Sequence, residues 1–134
     1  MILGLGLDVV EVEGFRRQLA DRASHFVAGT FTAGEQAASA ERASGDPARH
    51  LAARYAAKEA FLKAWSGPRF GAPPVIRRLD LKEIEVISDA WGRPALRVAG
   101  PAAADLDALG PWRAHLSLSH DGPVAVACVV LESM

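Results

Sequence analysis

The chain begins with an apolar run that has the length and composition of a buried strand. Residues 2–9 are rich in Leu, Ile and Val, with Gly4 and Gly6 among them. Glycine inside a strand pattern indicates that another backbone or a ligand approaches closely at that point. We therefore expect a strand packed tightly against a second element, with Asp8 at its end.

Four further segments in the second half of the chain have strand patterns. Residues 81–87 and 95–98 carry alternating or β-branched apolar positions, and residues 115–119 alternate with a period of two. Residues 124–131 are continuously apolar, which is typical of a buried strand. The Asp-Gly pair at 121–122 is a hairpin turn signal between the last two strands.

Helical spacing and helix start signals predict several helices. Val12, Phe15 and Leu19 are spaced i, i+3 and i+7, which predicts a helix over residues 12–22. A shorter helix is expected over residues 101–109, where a proline opens the segment and a glycine follows it.

A capping box and a later break define two more helices. Thr32 and Glu35 have the Thr-x-x-Glu spacing that starts a helix, which we expect to run to about Arg42. Asp46 is a candidate N-cap, and the alanine-rich segment 47–66 that follows it is predicted to be the longest helix. Residues 67–78 hold two glycines and three prolines and are predicted to form a loop.

Length and composition fit one globular domain spanning residues 1–134, because half of the positions are hydrophobic. Cys128 is the single cysteine, so an internal disulfide is excluded, and no Cys/His spacing typical of a metal site occurs. No apolar run has the length of a membrane span, and the first residues lack the basic region of a signal peptide. We expect a cytoplasmic protein with no membrane partner.

The charge pattern argues for a local anionic ligand rather than for nucleic acid. The net charge is −1, which does not favour generic nucleic-acid binding. Between positions 42 and 78 only Asp46 and Glu59 are acidic, whereas eight residues are basic: Arg42, Arg49, Arg54, Lys58, Lys63, Arg69, Arg77 and Arg78. This segment either binds an anion such as phosphate or is a solvated helix face.

Two carboxylates, Asp8 and Glu59, are the candidate metal ligands. Separately, Asp8 could be a helix N-cap, and Glu59 could form an exposed pair with Lys63 at i+4. Together they suggest a Mg²⁺ site, because Mg²⁺ is typically held by one or two carboxylates plus phosphate oxygens and water. Arg54, Lys58 and Lys63, on the same predicted helix, would bind the remaining phosphate charge.

A second polar group lies in the predicted strand 115–119 and just after it. Alternation places Ser117 and Ser119 on one face, and His120 leaves the strand where a ligand could meet it. Ser, His and Asp121 also suggest a hydrolase, but the Gly-x-Ser-x-Gly nucleophile elbow is absent, so we do not favour that class.

Four blocks of the sequence, in order and spacing, resemble one known family. They are GLGLDVVEV at residues 4–12, FTAGE at 31–35, RYAAKEAFLKA at 54–64 and HLSLSHD at 115–121. The chain is thereby similar to the short type of 4′-phosphopantetheinyl transferase, the holo-acyl-carrier-protein synthases, over almost its whole length.

The resemblance implies an α+β fold with a small, mostly antiparallel sheet, a long packed helix and assembly as a homotrimer with each active site between two subunits. It implies transfer of 4′-phosphopantetheine from coenzyme A to a serine of apo acyl carrier protein, with release of adenosine 3′,5′-bisphosphate, in fatty-acid or polyketide biosynthesis. Asp8 and Glu59 match the Mg²⁺ ligands, and Lys63 and His120 match the coenzyme A pocket. Arg54, Lys58 and Ser117 join that pocket in our assignment.

The proton of the attacking serine needs an acceptor, and two remain open: a metal-bound water near Asp8 and Glu59, or the Asp121 carboxylate. Many members carry a basic residue at the position of Gly14 that faces the acidic carrier protein. We therefore expect that docking role to fall to three arginines of the first helical segment: Arg16, Arg17 and Arg22.

Three function hypotheses remain at this point. The first is the transferase. The second is a Mg²⁺-dependent phosphohydrolase that uses the same carboxylates on a free nucleotide. The third is a non-catalytic module that binds coenzyme A or a carrier protein. The first is favoured, and almost all of its support comes from the resemblance.

Overall fold

The computed structural model describes residues 1–41 and 45–134, and these form five strands and five α-helices. In chain order they are β1 (Ile2–Glu11), α1 (Val12–Ala20), α2 (Phe26–Thr30), α3 (Ala33–Ala40), α4 (Pro47–Ser66), β2 (Ile84–Ser88), β3 (Pro94–Val98), α5 (Gly100–Asp107), β4 (Trp112–Asp121) and β5 (Val124–Ser133). The expected α+β class is confirmed. No helix in the described ranges is both long enough and apolar enough to cross a membrane.

The strands form two antiparallel sheets. The larger has the order β1-β5-β4, and β2 pairs with β3 in a separate hairpin. In the larger sheet Asp8 lies opposite Ala127, which lies opposite Leu118. Because directly opposed residues share a face, this register sets which side chains of the sheet point toward α4.

Helix α4 packs so closely on β1 that glycine is required in the strand. Ala60 and Ala64 are fully buried at the contact. A Cβ atom on Gly6 would lie 1.7 Å from the Ala60 carbonyl oxygen, and one on Gly4 would lie 1.9 Å from that of Ala64. These distances are far below van der Waals contact, so the predicted close approach at the two glycines is confirmed.

The bounds of α4 follow from local signals. Asp46 accepts a hydrogen bond from Arg49 N at 3.2 Å and caps the helix, Pro47 occupies the first turn, and Gly67 follows the last residue, Ser66. The predicted helix 47–66 is confirmed residue by residue, because cap, proline and glycine act within one turn of the chain.

Other elements differ from expectation at their ends. The capping box of α3 is confirmed, with Glu35 N donating to Thr32 Oγ1 at 3.1 Å and Thr32 N donating to Glu35 Oε1 at 3.0 Å. Helix α3 ends at Ala40, and the expected end at Arg42 lies outside the described residues. Helix α1 ends at Ala20 rather than at residue 22, and α2 was not predicted.

The strand predicted from Leu81 begins only at Ile84, because Leu81–Glu83 form a 3₁₀ turn. The turn is capped by Asp80, which accepts from Lys82 N at 2.9 Å. The Leu81 carbonyl accepts a hydrogen bond from Lys58 Nζ at 3.0 Å instead of one from a neighbouring strand.

On one face of the larger sheet, β1 and β5 present apolar side chains that are exposed or half-buried in the single chain, whereas β4 presents His115, Ser117 and Ser119 there. Leu5, Leu7 and Val9 are 63%, 55% and 55% exposed, respectively. We call this surface the open face; across the register it comprises Leu5, Leu7, Val9, Val126, Cys128 and Val130. Contiguous exposed apolar surface of this kind commonly marks an interaction site.

Candidate active site

Four side chains meet where β1 crosses α4, and we call them the β1–α4 cluster: Asp8, Tyr55, Glu59 and Lys63. Lys63 Nζ donates to Asp8 Oδ1 at 2.8 Å and to the Leu7 carbonyl at 3.0 Å, across 55 and 56 positions of sequence. Glu59 lies one helical turn before Lys63 on α4, and Tyr55 one turn before Glu59. The predicted convergence of Asp8, Glu59 and Lys63 is what the structure shows.

The electrostatics of this cluster favour a bound cation. Burial, and then the charge of Asp8, raises the pKa of Glu59, while Lys63 and the Tyr55 hydroxyl act in the opposite direction. The hydrogen bond to Asp8 raises the pKa of Lys63. Burial, followed by the charges of Glu59 and Asp8, raises the pKa of Tyr55. Two carboxylates therefore share one ammonium group, and their repulsion would be relieved by a further positive charge.

The donor set suits Mg²⁺ better than a soft metal. The two carboxylates supply hard oxygen ligands, and within the described ranges no group of three or more His, Cys, Asp or Glu side chains is placed to hold a metal. A Mg²⁺ ion is commonly bound by one or two carboxylates while phosphate oxygens and water complete its octahedron. Asp8 and Glu59 thus fit a Mg²⁺ ion that arrives with a phosphorylated ligand.

A cationic cavity of about 410 Å³ opens on the other side of α4. It lies between the first half of α4, the β2–β3 turn and β4. Its lining residues are Asp46, Arg49, His50, Ala53, Arg54, Gly92, Pro94, Leu116, Ser117, Leu118, Ser119 and His120. Two of these residues are arginines, two are histidines and one is an aspartate, so the cavity suits an anion.

Three predicted ligand-binding residues, Arg54, Ser117 and His120, line this one cavity. Arg54 is largely buried, and its guanidinium donates to the His50 carbonyl at 3.4 Å. Arg49 and His50 line the cavity as well but were not singled out from the sequence. The i, i+4 spacing of His50 and Arg54 on a predicted helix was a usable signal, since it places both on one face.

The cluster and the cavity are separated within one chain. Arg54 and Glu59 are five residues apart on α4, a rotation of roughly 140° about the helix axis. Asp8 belongs to β1 and Ser117 to β4, the two outer strands of the sheet. Residues expected at a single site therefore lie on opposite sides of the same helix.

The prediction that Lys58 binds an anionic ligand is wrong for this structure. Lys58 is fully buried, and its Nζ donates to Thr30 O at 2.5 Å, Glu35 Oε1 at 2.7 Å and Leu81 O at 3.0 Å. These contacts use all three ammonium protons. Burial lowers the pKa of Lys58, and the Glu35 carboxylate opposes that shift. Lys58 ties α4 to α3 and to the turn before β2.

Asp121 is not brought to the cluster by the fold of one chain. It lies at the end of β4 opposite Val124, whereas Asp8 is level with Leu118. Two strand spacings and three residues along the strand separate them, about 14 Å. Because Asp121 is three residues, an odd number, from the position level with Asp8, the two side chains also lie on opposite faces of the sheet. The Asp121 carboxylate of the same chain therefore cannot reach a proton near Asp8.

The three arginines expected to dock a partner have different surroundings. Arg16 makes a two-pronged pair with Asp46, Nη1 to Oδ1 at 3.0 Å and Nη2 to Oδ2 at 3.1 Å, and also donates to Glu13. Its guanidinium is therefore engaged within the chain although its side chain is 43% exposed, so we retain the two more exposed arginines as the docking candidates. Arg17 is mostly exposed, with a distant pairing to Glu11, and Arg22 is exposed beyond the end of α1.

Known proteins resemble the chain over nearly all of its length. It is 47% identical over 131 residues to a holo-acyl-carrier-protein synthase of Nocardia farcinica, covering 98% of this chain and 88% of that protein. It superposes on the ACPS–CoA complex of Chronobacterium ammoniagenes with a TM-score of 0.88 and 41% identity, covering 98% and 97% of the two chains. For the acyl carrier protein synthase of Mycobacterium tuberculosis the TM-score is 0.78 at 42% identity, with both chains fully covered.

The family model for the 4′-phosphopantetheinyl transferase superfamily matches residues 4–129. That range includes both carboxylates and the lysine of the β1–α4 cluster, as well as the residues of α4 and β4 that line the cavity. With the sequence matched from the first strand to the last, and the fold matched in solved relatives, the chain belongs to the 4′-phosphopantetheinyl transferase superfamily.

Proposed function

We propose that this protein transfers the 4′-phosphopantetheine group of coenzyme A to a serine of apo acyl carrier protein, giving holo carrier protein and adenosine 3′,5′-bisphosphate. The observation that carries the proposal is the meeting of Asp8, Glu59 and Lys63 at the β1–α4 contact in a chain of this family. Fatty-acid or polyketide biosynthesis in the cytoplasm is part of the same proposal.

In this proposal Asp8 and Glu59 hold Mg²⁺. When bound, the ion would neutralise charge on the diphosphate oxygens, the contribution that phosphoryl transfer needs most. Glu59 is oriented by its place on α4, one turn from Lys63, and Asp8 is held by its bond to Lys63 Nζ.

Lys63 would bind the same diphosphate directly. An ammonium group has three protons, and Asp8 and the Leu7 carbonyl take two of them. The Lys63 side chain is half exposed, so the third proton is available to a phosphate oxygen. The two bonds to β1 would hold the charge in place, which limits the reorganisation needed during the reaction.

The cationic cavity would receive the phosphorylated nucleoside end of coenzyme A. Arg54 would supply charge there, and the His120 ring would supply a nitrogen that donates or accepts a hydrogen bond, while Ser117 lines the cavity from β4. The nucleophile is the serine of the partner, which is consistent with the absence of a nucleophile elbow in this sequence.

The direct test incubates the protein with coenzyme A, Mg²⁺ and an apo acyl carrier protein and measures the carrier by mass spectrometry. We expect a gain of one phosphopantetheine per carrier, release of adenosine 3′,5′-bisphosphate, and loss of both when EDTA replaces Mg²⁺. Phosphate release without any carrier protein would instead support the phosphohydrolase. Binding of coenzyme A with no product would support the non-catalytic module.

We also propose that the chain acts as a homotrimer whose active sites lie between subunits. The cluster and the cavity lie on opposite sides of α4, so a neighbouring chain that placed its cavity beside this cluster would complete the site. The open face offers the apolar surface for such an assembly, because three of its side chains are more than half exposed. Exposed arginines on and just after α1, Arg17 and Arg22, remain our candidates for docking the acidic carrier protein.

Replacing Leu7 by Glu should break this assembly. A carboxylate at the centre of the open face would have to be buried without a partner, which costs several kcal/mol. We expect a wild-type mass of three chains by light scattering, a smaller mass for Leu7→Glu, and a parallel loss of transfer activity. The matched control is Leu109→Glu, a leucine of similar exposure (54%) outside the open face. A Leu7→Glu variant with unchanged mass and activity would contradict the shared site.

A further inference from the structure

An ion pair between α1 and the start of α4 lies at the rim of the cationic cavity. Arg16 binds Asp46 through both guanidinium nitrogens Nη1 and Nη2, at 3.0 and 3.1 Å. The pair joins two helices that are distant in sequence, since 30 positions separate Arg16 from Asp46. Bidentate guanidinium–carboxylate contacts are the most directional ion pairs available to a protein.

Asp46 has two further roles that bear on the cavity. Its Oδ1 caps α4 by accepting from Arg49 N, and its side chain lines the cavity. Among the described lining residues it is the one carboxylate, beside Arg49, His50, Arg54 and His120. An uncancelled negative charge at this rim would oppose the binding of a phosphorylated ligand.

Arg49 is the second cation beside Asp46, and without Arg16 it could pair with the Asp46 carboxylate more closely. Arg49 Nε forms a loose ion pair with Asp46 Oδ2 at 3.7 Å, beyond hydrogen-bond distance, and this nitrogen is buried with no hydrogen-bond partner among the described residues. A buried donor in that state gains from a ligand oxygen. If the Asp46 carboxylate lost Arg16, Arg49 would be its nearest replacement, and the cavity would lose one cation to an internal pair.

We infer that Arg16 is a positioning residue for the cationic cavity, because its two-pronged pairing with Asp46 offsets the acidic charge at the rim and leaves the hydrogen bond of Arg49 Nε available to the ligand. The inference rests on the proposed function, in which that ligand is the bisphosphate end of coenzyme A. The Arg16 hydrogen bond lowers the pKa of Asp46, which is the direction expected for a carboxylate held ionised by its partner.

The test measures the dissociation constant of adenosine 3′,5′-bisphosphate by calorimetry, together with kcat and the KM values for coenzyme A and for the carrier protein. For Arg16→Ala we expect Kd and KM to rise roughly fivefold to tenfold. This is the size of effect expected when the Asp46 negative charge is no longer offset and repels a phosphate dianion at the solvated rim of the cavity. We expect kcat at saturating coenzyme A to stay within about twofold of wild type, because Arg16 contacts no reacting group.

Two further variants separate this role from simple stabilisation of the fold. Asparagine is as good an N-cap as aspartate, so Asp46→Asn removes the charge and keeps the start of α4. Asp46→Asn alone should bind the bisphosphate at least as tightly as wild type, and Arg16→Ala/Asp46→Asn should recover the wild-type Kd. Arg97→Ala is the control, since it removes an equal charge paired with Glu85 on the β2–β3 hairpin, outside the cavity.

Several results would overturn the inference. They are a wild-type Kd in Arg16→Ala, a double variant as weak as Arg16→Ala, weaker binding in Asp46→Asn, or a rise confined to the KM for the carrier protein. If the wild-type protein transfers phosphopantetheine and one of these results is found, the inference fails alone. If the wild-type protein neither binds the bisphosphate nor transfers, the proposed function fails with it.

Discussion

Replacing Glu59 by glutamine is expected to lower kcat/KM for transfer by at least about 100-fold. The change removes one of the two carboxylates proposed to hold Mg²⁺, and metal-ion stabilisation of phosphoryl charge is worth several kcal/mol, or tenfold per 1.36 kcal/mol. Mg²⁺ affinity in the presence of adenosine 3′,5′-bisphosphate should fall in parallel. Rates are measured by mass spectrometry of the carrier protein, and metal affinity by calorimetry.

The fold should tolerate this change. Burial and the charge of Asp8 raise the pKa of Glu59, which means that the ionised carboxylate is disfavoured in the folded chain. A neutral glutamine removes that repulsion, so the melting temperature should be equal to that of wild type or higher. Glu41→Gln, at an exposed carboxyl after α3, is the matched control and should keep full activity. Full activity in Glu59→Gln would refute the metal assignment.

Replacing Lys58 by methionine is expected to destabilise the fold by about 3–5 kcal/mol, the usual cost of removing one member of a buried ion pair. Domains of this size have about 5–15 kcal/mol of stability in total, so the variant should be marginal. The change removes the ammonium group from the Thr30 and Leu81 carbonyls and leaves the buried Glu35 carboxylate without a countercharge. Urea unfolding followed by circular dichroism measures the loss.

Lys63→Met is the matched control for this experiment. Lys63 lies on the same helix but is half exposed, and exposed pairs contribute about 0–1 kcal/mol. We expect Lys63→Met to fold normally and to lose transfer activity, and Lys58→Met to lose stability. Adding Glu35→Gln to Lys58→Met should restore part of the stability, because the remaining buried group is then neutral and still accepts from Val86 N. If Lys58→Met were stable but bound coenzyme A more weakly, Lys58 would be a ligand-binding residue after all.

Local signals in the sequence were sufficient wherever the interaction is local. Asp46, Pro47 and Gly67 set the two ends of α4, and Thr32 with Glu35 set the start of α3, because each signal acts within a turn of helix. Strand β2 shows the opposite case. Its predicted start at Leu81 is displaced to Ile84, in part because the Leu81 carbonyl accepts from Lys58, which lies 23 positions away.

The candidate site shows the same difference between residues that the sequence identifies and contacts that depend on distant positions. The acidic pair and Lys63 were found from the resemblance and from charge on a predicted helix, and the structure brings Asp8 and Lys63 into contact. Lys58 could not be assigned from the sequence, because the partner that buries it, Glu35, matched a capping box and gave no sign of a second bond. The pairing of Arg16 with Asp46 could not be predicted either, because no sequence signal indicates that α1 contacts the start of α4.

The amino-acid sequence by itself determined nine of the ten strands and α-helices, the family and the identity of the charged groups, because spacing, caps and motifs are properties of neighbouring residues. Only the tertiary structure decided which of those charges face a ligand and which are neutralised inside the fold. The physical reason is that the energy of a charge depends on burial and on partners brought from distant positions. Lys58 and Lys63, five residues apart on one helix, differ for that reason alone.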